Sequence, residues 1–252
     1  MIALFDSGNS HLHFAVWDNG RVIEPINIPY PSSANELPEL IKIVLGGRNP
    51  EKVAACSVSS RWRELLFYAL NEIAPGKLVV ARAAYDIGMN VIYDNPEQLG
   101  VDRVLAAYAA YRLFKDSCVV IDAGTAVTID AVTEDGTFAG GFIFPGPDVL
   151  SWSLTAKTDL PYVSAAVECE GIGKSTESCI SKALHIGLGG AVTELVNNAI
   201  AFVGGTDRLV VTGGGAEILK FCLPFKMLHR PFLVIEGLGY SVDSLPEFVT
   251  IL

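Results

Sequence analysis

The chain has 252 residues, half of them apolar, with a formal net charge of −10 and a mean hydropathy of +0.39. This length suits one large domain or two of roughly 120 residues, and the acidic balance without a stripe of Lys and Arg argues against a nucleic-acid partner. Strand-length apolar runs and an N-terminus without a basic region exclude a membrane span and a conventional signal peptide, and five scattered cysteines predict free thiols in a reducing cytoplasm.

The first half of the chain predicts the order βββαβαβα. Hydrophobic patterning gives three strands, then a helix that stops at Gly46-Gly47, a strand, a helix capped by Ser59 or Ser60, another strand, and an Ala-rich helix that begins after Asn95-Pro96. The predicted bounds are strands at 1–6, 11–17, 21–28, 52–58 and 77–82 and helices at 35–45, 59–72 and about 96–114.

The second half repeats this order with insertions. It predicts strands at 118–122, 126–133, 136–144, 208–212 and 231–236, a helical segment after Pro145-Gly146, a long helix within 174–203 and a short helix before the last strand. We therefore expect an α/β protein of two ribonuclease-H-like domains, of the kind found in actin-like ATPases, with mixed sheets flanked by helices. The predicted domains are 1–114 and 115–252, with a cleft between them.

The strongest signal is an internal repeat at an offset of 116 residues. Residues 3–20 align without a gap on residues 119–136, so that Asp6-x-Gly8 matches Asp122-x-Gly124. Both copies close with a hairpin-turn dipeptide, Asn19-Gly20 and Asp135-Gly136, in which we expect positive φ at both positions. The repeat predicts two β-hairpins, each opening one half of the chain.

An Asp-x-Gly loop can bring backbone N–H groups close to a phosphate, while the carboxylate holds a metal ion directly or through water. A single copy would be ordinary turn chemistry. Two copies, each opening a half of the chain, favour a nucleotide held through its phosphates.

Asp102-Arg103 begins the helix that closes the first half. An Asp in a first helical turn is favoured by the helix dipole, so a capping carboxylate beside a surface Arg is one reading. The other is a base for a hydroxyl nucleophile beside a cation for an anionic group. Gly100 argues against simple helix building, since Gly in a first turn is costly.

Taken together in order and spacing, these motifs resemble those of the type III pantothenate kinases, a family of the actin, Hsp70 and sugar-kinase superfamily. The resemblance covers nearly the whole chain. It rests on Asp6-x-Gly-Asn9, Asn95-Pro96, Leu99-Gly100-x-Asp102-Arg103, Asp122-x-Gly-Thr-Ala-x-Thr128-x-Asp130, Gly140-Gly-Phe-Ile-Phe-Pro-Gly146, Leu160-Pro161, Gly173-x-x-Thr176, Gly187 and Thr212-Gly-Gly-Gly215. Ser10 replaces the usual Thr, and Ser175 stands where the family often has Asn.

The resemblance implies ATP-dependent phosphorylation of pantothenate, the first step toward coenzyme A, in a cytoplasmic homodimer. It implies ATP with Mg²⁺ or another divalent cation near Asp6, and a monovalent cation, K⁺ or NH₄⁺, at Asp122. Asp102 would be the general base. The implied ATP contacts are Asp6, Ser7, Gly8, Asn9, Ser10, His11, Leu12, His13 and Thr125. The implied pantothenate contacts are Tyr93, Gly100, Val101, Asp102, Arg103 and Thr176, the last from the partner subunit.

Two weaker signals stay open at this point. His11 and His13 share one face of a strand and could bind a metal, but no third ligand is evident, so packing beside the loop is preferred. Thr212-Gly-Gly-Gly215 follows a strand and opens a helix, which suits either an adenosine-side loop or an ordinary strand-to-helix turn.

Two other functions compete with pantothenate phosphorylation. One is a kinase for another small-molecule hydroxyl or a phosphohydrolase, and the other is a catalytically silent regulatory protein of the same fold. The presence of Asp6, Asp102, Arg103, Asp122 and Thr125 argues against the silent protein, because a binding module has little use for a base between two phosphate loops.

Overall fold

The computed structural model describes residues 1–165 and 171–244. The chain divides into two compact units, each built on one five-stranded sheet. Unit 1 comprises Met1–Arg112 and the chain from Phe232 onward, and unit 2 comprises Leu113–Pro231. The α/β class and the two ribonuclease-H-like sheets predicted from the sequence are confirmed.

The strands are β1 (Ile2–Ser7), β2 (His11–Asp18), β3 (Arg21–Pro29), β4 (Lys52–Ser57), β5 (Leu78–Ala81), β6 (Cys118–Ala123), β7 (Ala126–Val132), β8 (Phe138–Pro145), β9 (Leu209–Thr212) and β10 (Leu228–His229). The helices are α1 (Leu37–Leu45), α2 (Arg63–Ile73), α3 (Ala84–Ile87), α4 (Val101–Phe114), α5 (Pro147–Thr155), α6 (Thr176–Phe202), α7 (Ala216–Cys222) and α8 (Leu233–Ser244). Single turns of 3-10 helix lie at Ala34–Glu36 and Pro96–Gln98.

The two sheets have the same strand order. Unit 1 runs β3-β2-β1-β4-β5, with β1, β4 and β5 parallel and β2 antiparallel to both neighbours. Unit 2 runs β8-β7-β6-β9-β10, with β6, β9 and β10 parallel. The internal repeat of the sequence is therefore a repeat of topology, and Asp6 and Asp122 lie at equivalent points of the two central strands.

Each sheet has an apolar core on one face. In unit 1, α1 and α2 cover the face that carries Phe5, Phe14 and Val53, all nearly inaccessible to solvent. In unit 2, α6 and α7 cover the corresponding face of β6, β7 and β9. The central strands β1, β4, β6 and β9 are nearly continuous apolar runs, buried along most of their length, as is typical of sheets covered on both faces.

The terminal helix α8 corrects the prediction of the last strand. We predicted a strand at 231–236, and that prediction is wrong. The segment is helical, and nine of its residues are buried against unit 1 rather than unit 2. Glycines form the contact: a Cβ at Gly237 would overlap the carbonyl of Leu105, and one at Gly239 would overlap the ring of Trp17. Tertiary packing therefore overrides the local strand propensity.

Smaller differences concern where helices begin. Pro96 opens one turn of 3-10 helix, and the long helix α4 begins only at Val101. Helix α2 begins at Arg63, later than the predicted cap at Ser59, whose hydroxyl accepts a bond from the Trp62 N–H at 3.4 Å. In both places a turn outside the α-helix precedes its first residue.

Helix α6, with 27 residues, is long and apolar enough by composition to cross a membrane, alone among the described helices. The core helix of a soluble protein has the same composition, and Leu188, Val192, Val196 and Ala199 of α6 lie in the core of unit 2. We therefore read α6 as a core helix.

Candidate active site

The first phosphate loop, which we define as residues 8–11, connects β1 to β2. Ser7 pairs with Leu12, and the Gly8 N–H donates to the His11 carbonyl at 3.1 Å. Asn9, Ser10 and His11 are exposed, whereas Leu12 is buried in the core. The loop thus presents a short stretch of backbone at the carboxyl end of β1, where ligands of such sheets bind.

Asp6 is the most perturbed carboxyl group in this region. It is 6% exposed, and its Oδ1 accepts a hydrogen bond from the Cys56 thiol at 3.3 Å. Burial raises the pKa of Asp6 to about 7, with a further contribution from the negative charge of Asp102. A cation beside Asp6 would offset both effects, so this carboxylate suits a metal-bound phosphate.

Asp6 and Asp102 are thus brought close enough within unit 1 to repel each other. Asp102 lies in the first turn of α4, and its own pKa is raised by burial against the opposing effects of the Arg103 N–H, at 2.8 Å, and the Arg103 charge. A Cβ at Gly100 would lie 2.6 Å from Asp102 Oδ1, so glycine leaves room for the carboxylate. The helix dipole and this space hold a carboxylate at a helix start.

Arg103 and Tyr93 form the other part of this cluster. The Arg103 guanidinium is buried, lies 6.0 Å from the centre of the Tyr93 ring, and donates to its hydroxyl at 3.5 Å. Val101 is also buried, and its side chain anchors the start of α4. The five residues predicted to contact pantothenate in unit 1 (Tyr93, Gly100, Val101, Asp102 and Arg103) therefore form one cluster around a carboxylate and a cation.

The second phosphate loop, residues 124–126, connects β6 to β7 in unit 2. The Gly124 N–H donates to the Ala126 carbonyl at 2.9 Å, and Thr125 is exposed. Asp122 is only partly buried, and a Cβ at Gly213, where φ is +85°, would lie 2.4 Å from its Oδ1. The Gly215 N–H donates to the Ala123 carbonyl at 2.7 Å. The glycine-rich turn after β9 therefore wraps the Asp122 carboxylate.

Hydroxyl groups adjoin Asp122 across the sheet. Asp122 pairs with Thr128 on β7 and with Thr212 on β9, so the three side chains share one face. Thr128 donates to the buried carboxylate of Asp130 at 3.2 Å. Carboxylate and hydroxyl oxygens on one face are donors suited to a hard cation.

Thr176 is the first residue of α6 and is exposed in unit 2. Ser175 caps the helix by accepting from the Ser178 N–H at 3.2 Å, and a Cβ at Gly173 would overlap the backbone of Cys179. A sharp, well-capped turn therefore fixes Thr176 at the helix start.

The histidines do not form a metal site in the described part of the chain. Residues 1–165 and 171–244 hold no cluster of three or more His, Cys, Asp or Glu side chains fit for a metal ion. Burial, together with the charge of His11, lowers the pKa of His13, so that His13 is neutral near pH 7. Packing beside the loop is the reading that remains.

The sequence did not point to several residues that contact the first loop. The Tyr30 hydroxyl donates to the Gly8 carbonyl at 2.9 Å and lies 2.7 Å from Ser7 Oγ, and Ser57 donates to Ser7 Oγ at 3.0 Å. The sequence contains one signal for this contact, which lies beyond the aligned segments 3–20 and 119–136. Pro29-Tyr30-Pro31 matches Pro145-Gly146-Pro147 at the same offset of 116 residues.

The chain is similar to known proteins over most of its length. A family model described as type III pantothenate kinase matches residues 2–198. A type III pantothenate kinase of Halorhodospira halophila is 36% identical over 258 residues, covering 94% of this chain and 96% of its own. One from Desulfatibacillum aliphaticivorans is 31% identical, covering 96% of this chain and 98% of its own.

Solved structures agree in fold. A conserved Campylobacter jejuni protein of the Baf family of transcriptional activators has a TM-score of 0.63 at 21% identity, covering 97% of this chain and 98% of its own. A ROK-family glucokinase of Streptomyces griseus, solved with glucose and AMPPNP, has a TM-score of 0.54 at 12% identity, covering 96% of this chain and 98% of its own. At these identities the likeness concerns the fold alone.

Proposed function

The chain belongs to the type III pantothenate kinase family, and we propose that it transfers the γ-phosphoryl group of ATP to pantothenate with Asp102 as the general base. The family assignment made from the sequence is confirmed, and with it an ATP-dependent pantothenate kinase of coenzyme A biosynthesis. The observation that carries the catalytic proposal is the cluster of Asp102, Arg103 and Tyr93 beside Asp6. The proposed product is 4'-phosphopantothenate, with ADP as the second product.

Asp102 serves the acceptor side of the reaction. Its carboxylate accepts the proton of the primary hydroxyl of pantothenate as the oxygen bonds to the γ-phosphorus and the bond to ADP breaks. The raised pKa of Asp102 makes its carboxylate a stronger base than an ordinary aspartate. Late proton transfer in a loose transition state does not require a strong base. Tyr93, Gly100, Val101 and Arg103 orient pantothenate, with the buried guanidinium as the cation for an anionic group.

Asp6 and the first phosphate loop serve the donor side. A divalent cation such as Mg²⁺ would neutralise charge on the transferring phosphoryl group, and Asp6 is the carboxylate beside which it would bind. The loop at residues 8–11 supplies backbone N–H groups and exposed side chains toward the phosphates, whereas Leu12 packs in the core beneath it. Burial makes the charge of an unpaired Asp6 unfavourable, which supports a cation there.

Unit 2 contributes Thr125 toward ATP and Asp122 toward a monovalent cation, K⁺ or NH₄⁺. The fit rests on the space that Gly213 leaves beside the Asp122 carboxylate, since a side chain there would fill it. The Asp122 carboxylate and the threonine hydroxyls on its face are oxygen donors of the kind that a hard cation takes. The glycine-rich turn at 212–215 would contact the nucleotide on the same side.

A homodimer is the proposed assembly, with Thr176 contributed to the partner's pantothenate site. A groove of about 320 Å³ between α5 and α6 is lined by Phe144, Leu150, Ile180, Leu184 and Gly187. Apolar side chains near it are exposed, among them Ile186 at 60% and Trp152 at 61%. An apolar surface of this kind on a metabolic enzyme favours a second copy as its occupant. We expect Ile186→Glu to yield monomers in analytical ultracentrifugation, with Phe221→Glu, on exposed α7, as the matched control.

The proposed location is the cytoplasm. Cys56, Cys118, Cys179 and Cys222 are free thiols, as expected in a reducing compartment, and Cys169 lies outside the described residues.

The test of the function is release of ADP from Mg-ATP by the purified chain, with and without pantothenate and with K⁺ exchanged for Na⁺. We expect release that requires pantothenate and is faster with K⁺. Release without pantothenate would indicate a hydrolase or a kinase for another hydroxyl, and nucleotide binding without any turnover would indicate a silent regulatory protein.

A further inference from the structure

We infer that Tyr30 is a positioning residue for ATP, whose hydroxyl fixes the first phosphate loop through the Gly8 carbonyl. The inference rests on the proposed binding of ATP phosphates by residues 8–11. Tyr30 follows the last residue of β3 and lies 22 positions from Gly8 along the chain, so the contact exists only in the folded sheet.

The Tyr30 hydroxyl ends a directed chain of hydrogen bonds. Its one proton goes to the Gly8 carbonyl at 2.9 Å, so the contact with Ser7 Oγ at 2.7 Å requires Ser7 to donate. Ser57 then donates to Ser7 Oγ at 3.0 Å, and the Ser59 N–H donates to Ser57 Oγ at 3.2 Å. Each group donates one proton in the same direction, an arrangement in which the bonds strengthen one another.

The Tyr30 hydroxyl remains a donor because of its buried, negatively charged surroundings. The three serines are at most 5% exposed. Burial and the negative charge of Asp6 raise the pKa of Tyr30 to about 12, although the bond from Ser7 acts the other way. The hydroxyl therefore carries its proton throughout the range in which a kinase works.

The hydrogen bond from Tyr30 to the Gly8 carbonyl also orients the next backbone N–H of the loop. The Gly8 carbonyl and the Asn9 N–H belong to one planar trans peptide and point in opposite directions. A hydrogen bond from Tyr30 to the carbonyl therefore turns the Asn9 N–H away from the protein interior. Asn9 is exposed, so a phosphate approaching from solvent could reach the backbone at this position.

The Tyr30 ring is itself held in place. It stacks on the Trp62 indole with ring centres 4.5 Å apart and an angle of 7° between the planes. Trp62 is 3% exposed, and the Arg61 guanidinium lies 4.9 Å from its centre. A donor on a fixed ring loses little conformational freedom when it binds the loop, which makes it suitable for pre-organisation.

Unit 2 contains an independent counterpart. Position 146, equivalent to position 30, also follows a strand-ending proline, and its N–H donates to the Thr125 carbonyl at 3.0 Å. A Cβ there would lie 2.5 Å from the Gly124 carbonyl. Both phosphate loops are therefore held from the same topological position, one by a side-chain hydroxyl and the other by a backbone amide.

The experiment compares Tyr30→Phe with wild type and with Tyr68→Phe, which removes an exposed hydroxyl from α2. Nucleotide affinity is measured by calorimetric titration with Mg-ADP, and the two KM values and kcat come from steady-state assays. Loss of one neutral hydrogen bond predicts a two- to tenfold weaker affinity for ADP and a similar rise in the KM for ATP. The KM for pantothenate should stay within about twofold, and Tyr68→Phe should match wild type.

Ser57→Ala is the second variant, since it removes an upstream donor and keeps the tyrosine; it should weaken ADP binding by a smaller factor. If Tyr30→Phe does not fold, Ser57→Ala decides alone. ADP binding unchanged in both variants would overturn the inference, as would equal rises in the KM values for ATP and pantothenate. Wild-type protein that binds no nucleotide would instead overturn the proposed function.

Discussion

The two Asp-x-Gly hairpins share one topology and differ in chemistry. In unit 1, Asp6 is buried beside a thiol, and its pKa is raised to about 7. In unit 2, the equivalent Asp122 is partly exposed and wrapped by a glycine-rich turn. A duplicated scaffold thus supplies one site where a bare negative charge is unfavourable and one where it remains accessible. This difference is the basis for proposing a divalent ion beside the first carboxylate and a monovalent ion beside the second.

The two hairpins also differ in the lengths of their connecting loops. The first loop has four residues between the paired Ser7 and Leu12, and the second has three between Ala123 and Val127. The turn after β2 has two residues between the paired Asp18 and Arg21, whereas the turn after β7 has three between Thr133 and Thr137. The shorter loop of unit 2 is therefore offset by a longer turn, which is why the two segments align without a gap.

The largest expected effect is on turnover, and it should come from unit 1, which carries the proposed base. Asp102→Asn should lower kcat by about 10²- to 10⁴-fold, since a positioned base contributes on that order. Affinity for Mg-ADP should hold or improve, because the substitution removes a charge that repels Asp6. Steady-state kinetics and calorimetry measure the two quantities. A kcat near that of wild type would assign the base to another group.

A second test addresses the cost of burying Asp6 in the ligand-free protein. Folding raises its pKa from 3.8 to about 7, so the folded state favours the protonated form. The resulting stability is complete below about pH 4 and is lost as the pH rises to about 7. Asp6→Asn, which mimics that form, should match wild type near pH 4 and be more stable at pH 8 by about 2–4 kcal/mol.

Thermal unfolding followed by circular dichroism at both pH values measures this difference. The matched control is Asp135→Asn in unit 2, where bonds from Thr133 and Thr137 lower the pKa of an exposed carboxyl. That substitution should not stabilise the protein at either pH. A stability gap for Asp6→Asn that does not change with pH would contradict the assignment.

A third test concerns the backbone contact that holds the second loop. Gly146→Ala would place a Cβ against the Gly124 and Thr125 carbonyls, so the loop must shift. Overpacking of this kind costs about 1–3 kcal/mol. We expect a lower Tm and weaker binding of Mg-ADP. Gly190→Ala, an exposed position of α6 where a Cβ meets no atom within 4 Å in the described structure, is the control for lost glycine flexibility in unit 2.

The smallest expected effect distinguishes the cation preference of the two carboxylates. Asp122→Ala should abolish the rise in Tm and in turnover that K⁺ gives over Na⁺, while the dependence on Mg²⁺ remains. Titration of each ion against Tm provides a measure that does not rely on turnover. An unchanged K⁺ response would place the monovalent site elsewhere.

Local patterns were sufficient to predict the hairpins. Short apolar runs bounded by turn residues specify the strands, and Asn19-Gly20 adopts positive φ at both positions, as expected of its turn type. The prediction for Asp135-Gly136 was right at one position only, because in the described chain Gly136 has positive φ and Asp135 does not. The extra residue before Thr137 changes the turn, and that residue count depends on pairing across the sheet.

Long-range contacts account for what sequence reasoning missed. Tyr30 matters because of a carbonyl 22 residues away, and α8 is a helix because Gly237 and Gly239 fit against α4 and β2. Neither relation leaves a periodic signal in its own segment. The repeated Pro-x-Pro after β3 and β8 was readable, but its meaning depended on knowing that a loop lies opposite each of them.

The packing of α8 on unit 1 has a consequence for biosynthesis. During translation the whole of unit 2 is synthesised before the helix that covers Leu105 and Trp17. Unit 2 is continuous in sequence and can begin folding as it emerges, whereas unit 1 exposes apolar surface until residue 244 is available. The half of the molecule that is synthesised first is therefore completed last.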